Sequence, residues 1–301
     1  MSNKAWYFLL SLSFIWGGSF YFIGEGVKLV PPLTLVWYRI FFAGLTLYLV
    51  IWWTRGVLPK QLEFWIKVSI MAGLNNIVPF TLIAWGQKTI SGGLAAILNS
   101  NTAFAAVFIA AVFVSSEKLD IRRVIGTLVG ILGVILVIGL DVLNEITLTS
   151  LSQLAVLLAS VSYALASVWG QTQLSVYEPK EIACGTLLVG SVIIAPFVLF
   201  VDGVPELTVF KLKLILIIFG LSIVGTALAY VVYFRILELA GASNLMLVTV
   251  IVPVFAILID AVLLGKWISM QTFAGFVVIS FGLLLIDGRI FWTIAKKLKP
   301  K

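Results

Sequence analysis

Ten apolar stretches follow one another along this chain, at about Ala5–Ile23, Leu33–Trp53, Val68–Trp85, Gly93–Val114, Val124–Leu140, Leu151–Thr172, Ile182–Val201, Leu212–Leu237, Ala242–Leu264 and Gln271–Ile286. Most run to roughly 20 residues, the length a helix rising about 1.5 Å per residue needs to cross about 30 Å of hydrocarbon. A lipid interior offers backbone amides no water, so a spanning segment must satisfy its own hydrogen bonds, and helices do so. The expected fold class is an all-α integral membrane protein of ten transmembrane helices. Connections of about a dozen residues at most leave no room for a soluble catalytic or regulatory domain.

Composition closes off other classes. Of 301 residues, 61% are hydrophobic and 11% charged, which cannot make a water-soluble surface. There is one cysteine, Cys184, and no histidine, so an intramolecular disulfide is excluded and a metal site has almost no ligands. No metal and no cofactor are expected. The apolar run after Lys4 lacks a small-residue cleavage site and continues through Gly24-Glu25-Gly26 to Pro31-Pro32, which reads as a retained first helix.

The net charge of +7 would suggest nucleic acid in a soluble chain, but in a membrane protein its distribution orients the helices. With the amino terminus inside, inner segments carry 14 Lys and Arg and outer segments 5, with Arg39 alone inside a span. Both termini are therefore expected in the cytoplasm, with the chain in a prokaryotic inner (plasma) membrane and no nucleic-acid partner. Trp6, Trp52, Trp53, Trp65 and Trp292 at inner ends and Trp85 and Trp267 at outer ends read as interfacial anchors.

The chain also repeats itself. An offset of 149 lays Gly92 on Gly241, Glu117 on Lys266, Gly126 on Gly275 and Gly133 on Gly282, while an offset of 147 lays Trp16 on Tyr163 and Pro32 on Pro179. The reading is two five-helix repeats, residues 1–145 and 146–301, the second ending in a short basic tail. Five is odd, so the second repeat enters the membrane from the opposite side. Inverted repeats are characteristic of transporters that open a midplane site to each face in turn.

Trp16-Gly17-Gly18-Ser19-Phe20 in the first helix, Arg39 in the second, the Glu117…Gly126 and Lys266…Gly275 stretches, and Pro253-Val254-Phe255-Ala256 in the ninth resemble the drug/metabolite transporter superfamily, in its EamA-type ten-helix branch. The resemblance runs from about residue 6 to 286. It implies export of small organic metabolites such as amino acids, or transport of drugs, nucleotide sugars or sugar phosphates. Two departures stand out: Thr102-Ala103-Phe104-Ala105 occupies the place of a proline in the fourth helix, which puts a symmetric kink in question, and Lys266 replaces an acid.

Polar groups within spans are costly unless they face protein or water, so they suggest where a pathway runs. The candidate lining is Trp16 and Ser19 from the first helix, Asn75 and Asn76 from the third, Asn101 from the fourth, Tyr163 from the sixth and Tyr230 from the eighth. These neutral donors and acceptors beside aromatic rings suit a zwitterionic or uncharged solute with an apolar portion, and do not make a phosphate site. Helix-to-helix hydrogen bonding is the alternative role for any one of them. Trp16 and Tyr163, equivalent in the repeat, are expected to face one another.

Arg39 lies about 10 Å into its helix by the rise per residue. It is expected to pair with Asp260 or Glu25, the former favoured as more buried, against the alternative of snorkelling to outer headgroups. Gly126, Gly130 and Gly133, with Gly275 and Gly282, form smooth faces for close packing of the fifth and tenth helices. Pro79, Pro196 and Pro253 are candidate kinks.

An intramembrane enzyme would need a nucleophile with a base, or a metal, at depth, and the sequence offers neither. A structural membrane subunit remains the other class. The partners expected are a small-molecule substrate and the bilayer, for a monomer or homodimer.

Overall fold

A computed structural model describes residues 3–113, 121–138, 147–204, 211–245 and 247–287. The described residues form helices and connecting turns, with no strand among them. Eight helices are long and apolar enough to cross a membrane: α1 (Asn3–Gly26), α2 (Pro32–Trp53), α3 (Leu62–Gly86), α4 (Gly92–Phe113), α5 (Ile121–Ile138), α6 (Leu148–Gln173), α7 (Pro179–Val201) and α8 (Leu212–Gly241). Two shorter apolar helices follow, α9 (Val248–Leu264) and α10 (Met270–Asp287). The protein is a multi-pass membrane protein. Glu117, Trp292 and the basic residues from Arg289 onward lie outside the described residues.

Local chemistry sets the helix ends. α2 and α7 both open on a proline, Pro32 and Pro179, whose fixed φ suits the first turn and whose missing N–H would be unpaired there anyway. Thr147 caps α6, its hydroxyl accepting from the Ser150 backbone while Ser150 bonds back to the Thr147 amide. Gly265 ends α9 in the left-handed region at φ 64°. Gly241, at φ 76°, breaks α8, after which helix resumes to Leu245. The ninth helix begins at Val248, six residues later than Ala242, the start read from the sequence.

Two helices are not α-helical throughout. α3 contains a π-helical segment at Gly73–Ile77, and α8 one at Gly220–Leu228. The segments start 147 residues apart, the offset that also relates Pro32 to Pro179. In α3 the segment ends just ahead of Pro79. At the same offset, Thr226 in α8 donates its hydroxyl to the Leu221 carbonyl at 2.8 Å. A proline removes a ladder bond and a hydroxyl caps a carbonyl, so each helps a wider turn persist.

α4 is also interrupted, at Ser100–Asn101, without a proline. Ser100, Asn101 and Thr102 each turn their side chains back onto carbonyls three residues earlier, of Ile97, Leu98 and Asn99. Such local bonds compete with the helical ladder and bend it. The doubt raised by the missing proline is answered by side-chain hydrogen bonding.

Packing joins α1 to α9, α4 to α6, α2 to α7 and α5 to α10, with α8 against α1 and α2 and α3 against α6 and α7. Close approach depends on small residues, because lipid supplies no hydrophobic force between helices. At Gly17 a methyl group would stand 2.7 Å from Phe255 Cβ, so the tryptophan-glycine element of α1 seats directly on the Pro253–Ala256 element of α9. The glycine faces read from the sequence, at Gly126, Gly133, Gly275 and Gly282, turn out to meet one another in the α5–α10 pair. Outward faces expose Leu128, Leu132, Ile135, Phe197 and Val262, while Ser13, Asn76, Ser222 and Asp260 are buried. That reversal of the soluble pattern is what a lipid surround selects.

Candidate substrate site at the centre of the bundle

The π-helical segments bring polar groups together midway along α3 and α8. Asn75 Nδ2 donates to the Tyr230 hydroxyl at 3.0 Å, joining the two helices. Asn76, one position on, is fully buried beside the same hydroxyl, and its Oδ1 carbonyl is without a hydrogen-bond partner. Tyr230 stacks on Phe234 at 6.0 Å, and Tyr233 meets the Trp16 ring at 6.1 Å. Ser19, bonded to the Ile15 carbonyl, abuts the α8 segment, where a methyl group at Gly225 would come 2.5 Å from its hydroxyl.

Arg39 enters this layer from α2. Its Nε donates to Thr226 Oγ1 at 2.9 Å, and its guanidinium carbon lies 3.8 Å from the centre of the Phe80 ring, a cation–π geometry. Phe80 in turn meets Tyr163 edge-on at 6.4 Å. The Tyr163 and Tyr230 hydroxyls are within electrostatic range of the guanidinium. Arg39 is 8% exposed, so it does not snorkel to headgroups.

The expected charge pair does not form. Asp260 is 2% exposed and accepts from the Gly93 amide at 2.8 Å, holding the first turn of α4 against α9. A carboxylate at a helix amino terminus satisfies an otherwise orphan N–H and complements the helix dipole, which accounts for its burial away from Arg39. Glu25 is taken by Lys28 and, at 2.7 Å, by Lys213, linking α1 to the start of α8. Among the described residues Trp16 and Tyr163 are not in ring contact: the Trp16 ring meets Tyr233 and the Tyr163 ring meets Phe80. Asn101 spends its amide on the Leu98 carbonyl in the α4 bend, close to Ser160, whose hydroxyl reaches the Leu98 and Asn99 carbonyls.

The structure thus links Trp16, Ser19, Asn75, Asn76, Tyr163, Tyr230 and Arg39 through a chain of contacts into one layer, while Asn101 serves the α4 bend near α6 and Asp260 the contact of α9 with the start of α4. Phe80, Thr226 and Tyr233 complete the layer. Tyr233 follows Tyr230 by three residues, a helical spacing that could have flagged it. Phe80 carries no polar signal at all.

The sequence profile of the EamA-like transporter family matches residues 3–139 and again 150–287. This chain belongs to that family. Among its relatives, a probable amino-acid metabolite efflux pump of Salmonella typhimurium strain LT2 is 26% identical, over 95% of each chain. A transporter of Bacillus subtilis strain 168 named YoaV, itself uncharacterised, is 23% identical over 92% of this chain and 94% of that one. One solved crystal structure superposes with a TM-score of 0.67, covering 95% of this chain and 98% of the other at 17% identity, a likeness of fold alone. The chain is an EamA-type membrane transporter of the drug/metabolite superfamily, and its relatives are named as transporters and efflux pumps, not enzymes.

Proposed function

We propose that this EamA-type protein exports small organic metabolites, amino acids among them, by alternating access around the layer of Trp16, Asn75, Asn76, Tyr163 and Tyr230. The observation that carries this is the Asn75–Tyr230 hydrogen bond, which crosses from the first half of the chain to the second at mid-length of both helices. Neutral hydrogen-bonding groups flanked by rings suit solutes with both a polar and an apolar part. Efflux pumps named for amino-acid metabolites among the relatives favour the same solutes.

The mechanism needs two halves of opposite orientation, residues 1–145 and 146–301, in ten spans. Support comes from the family profile matching twice, from the matched π-helical segments and from the helix contacts. Exchanging the halves turns α1–α9 into α6–α4, α1–α8 into α6–α3 and α2–α8 into α7–α3, all of which are packed pairs. The 14 to 5 distribution of basic residues favours cytoplasmic termini in a bacterial inner membrane. The working unit is a monomer or homodimer.

The test is efflux from liposomes holding the purified chain, loaded with a mixture of amino acids. Trp16→Ala and Asn75→Ala are expected to abolish or redirect efflux while leaving detergent stability nearly intact. Reduced stability with normal transport per folded molecule would make these residues helix-packing groups.

A further inference from the structure

Among the described residues, the central layer holds one charge with no carboxylate opposite it. A guanidinium within a membrane protein's interior is costly to desolvate, and its presence calls for an anion. Arg39 donates through Nε to Thr226 and lies over Phe80, yet among the described residues nothing accepts a hydrogen bond from its two Nη nitrogens. No described carboxylate forms an ion pair with it, since Asp260 is bonded to Gly93 and Glu25 to Lys28 and Lys213.

A second observation points the same way. Asn76, 0% exposed and beside the Tyr230 hydroxyl, holds a carbonyl oxygen that no described protein group satisfies. Buried polar atoms are nearly always paired, so an unsatisfied amide oxygen near such a cation marks a place a ligand completes. The offset of 147 sets Thr186 opposite Arg39 in the second half, so the repeat supplies a hydroxyl there and no second cation.

We propose that Arg39 is the anion-binding residue of the transport site, and that each substrate presents one carboxylate to its free Nη edge. A planar fork with two parallel donors matches a carboxylate in bidentate fashion. A phosphate dianion would keep an uncompensated charge against a single guanidinium, so phosphorylated solutes are poor substrates. Thr226 and Phe80 are positioning groups that fix the plane of the fork. The proposal rests on the central layer being the transport pathway.

The experiment uses the purified full chain in liposomes loaded with a water-soluble cell extract. The extract is spiked with L-leucine, L-leucinamide, 4-methylpentanoate, isoamylamine and inorganic phosphate, and the outside medium is followed by mass spectrometry against protein-free liposomes. Species released above control should all carry a carboxylate, while leucinamide, isoamylamine and phosphate stay inside. Arg39→Gln should cut that release at least tenfold. Arg39→Lys, which keeps the charge and loses the fork, should retain part of the rate with a KM raised about tenfold.

Release of solutes lacking a carboxylate at rates like those of the acids would overturn the assignment, as would wild-type efflux through Arg39→Gln. Should Arg39→Gln not fold, the wild-type selectivity decides the matter, together with Thr226→Val, which should raise KM for carboxylates more than it lowers kcat. No release of any species from wild-type liposomes would remove the transporter reading itself, and the inference with it.

Discussion

Gly133 and Gly275 approach backbone to backbone, such that a methyl group on Gly275 would stand 2.8 Å from the Gly133 carbonyl oxygen and one on Gly133 would stand 2.9 Å from that of Gly275. Nothing larger than hydrogen fits on either side. Gly133→Leu should therefore force α5 and α10 apart, at a cost of about 1–3 kcal/mol for overpacking. The melting temperature of the purified variant in detergent should fall. An unchanged melting temperature would mean that the two helices separate freely.

Tyr230→Phe removes the hydroxyl that accepts from Asn75 and leaves the stack on Phe234 in place. The loss of one net hydrogen bond is worth roughly 1 kcal/mol, so the variant should fold. Its efflux should drop severalfold. Normal efflux with reduced stability would assign the pair to packing.

Glu25 and Lys213 join α1 to the start of α8 with side chains 8% and 59% exposed. In the exchanged pair Glu25→Lys with Lys213→Glu, efflux should return toward wild type from the reduced level of either single change, measured as a double-mutant cycle. Half of the contact is open to water, so the coupling in stability should stay at or below about 1 kcal/mol. Additive single effects would dissolve the link.

Orientation is checked with single cysteines. Cys184 is fully buried against α2, so its own labelling in the native fold should be slow, and replacement by alanine gives a clean background. Lys88→Cys, beyond the end of α3, and Lys180→Cys, in the first turn of α7, should react with an impermeant maleimide from opposite sides of the membrane. Reaction of both from one side would contradict the ten-span arrangement.

The eight helices long enough to cross were legible because lipid thickness fixes how long an apolar run must be, and that demand is written in composition alone. The α5–α10 seam was legible for a similar reason, since only glycine permits the contact. The π-helical segments were not. Five residues at Gly73–Ile77 offer too short a window to separate one helical period from another, and the weak helix formers Gly73, Asn75 and Asn76 do not say which other helix forms. The partner of Arg39 was misread because depth along a helix says nothing of direction around it. Asp260 lies near the right level and turns to the α4 amino terminus, whereas Thr226 and Phe80 come from helices whose facing sides the sequence does not specify. Trp16 and Tyr163 correspond by their positions in the sequence repeat, and correspondence in sequence does not require that the two rings touch.

A π-helical turn is an α-helix carrying an extra residue, the trace left when a single codon is added to a gene. Gly73 and Gly220 open such turns at matching places in the two halves. If the halves descend from one ancestor, that addition is older than the doubling, and the turn already worked in a five-helix protein. Such a protein would have had to assemble with a copy of itself inserted upside down. The charge in the central layer, at residue 39, has no counterpart at Thr186. On that descent, fusion would have let one half change without the other and left a preference among solutes free to arise.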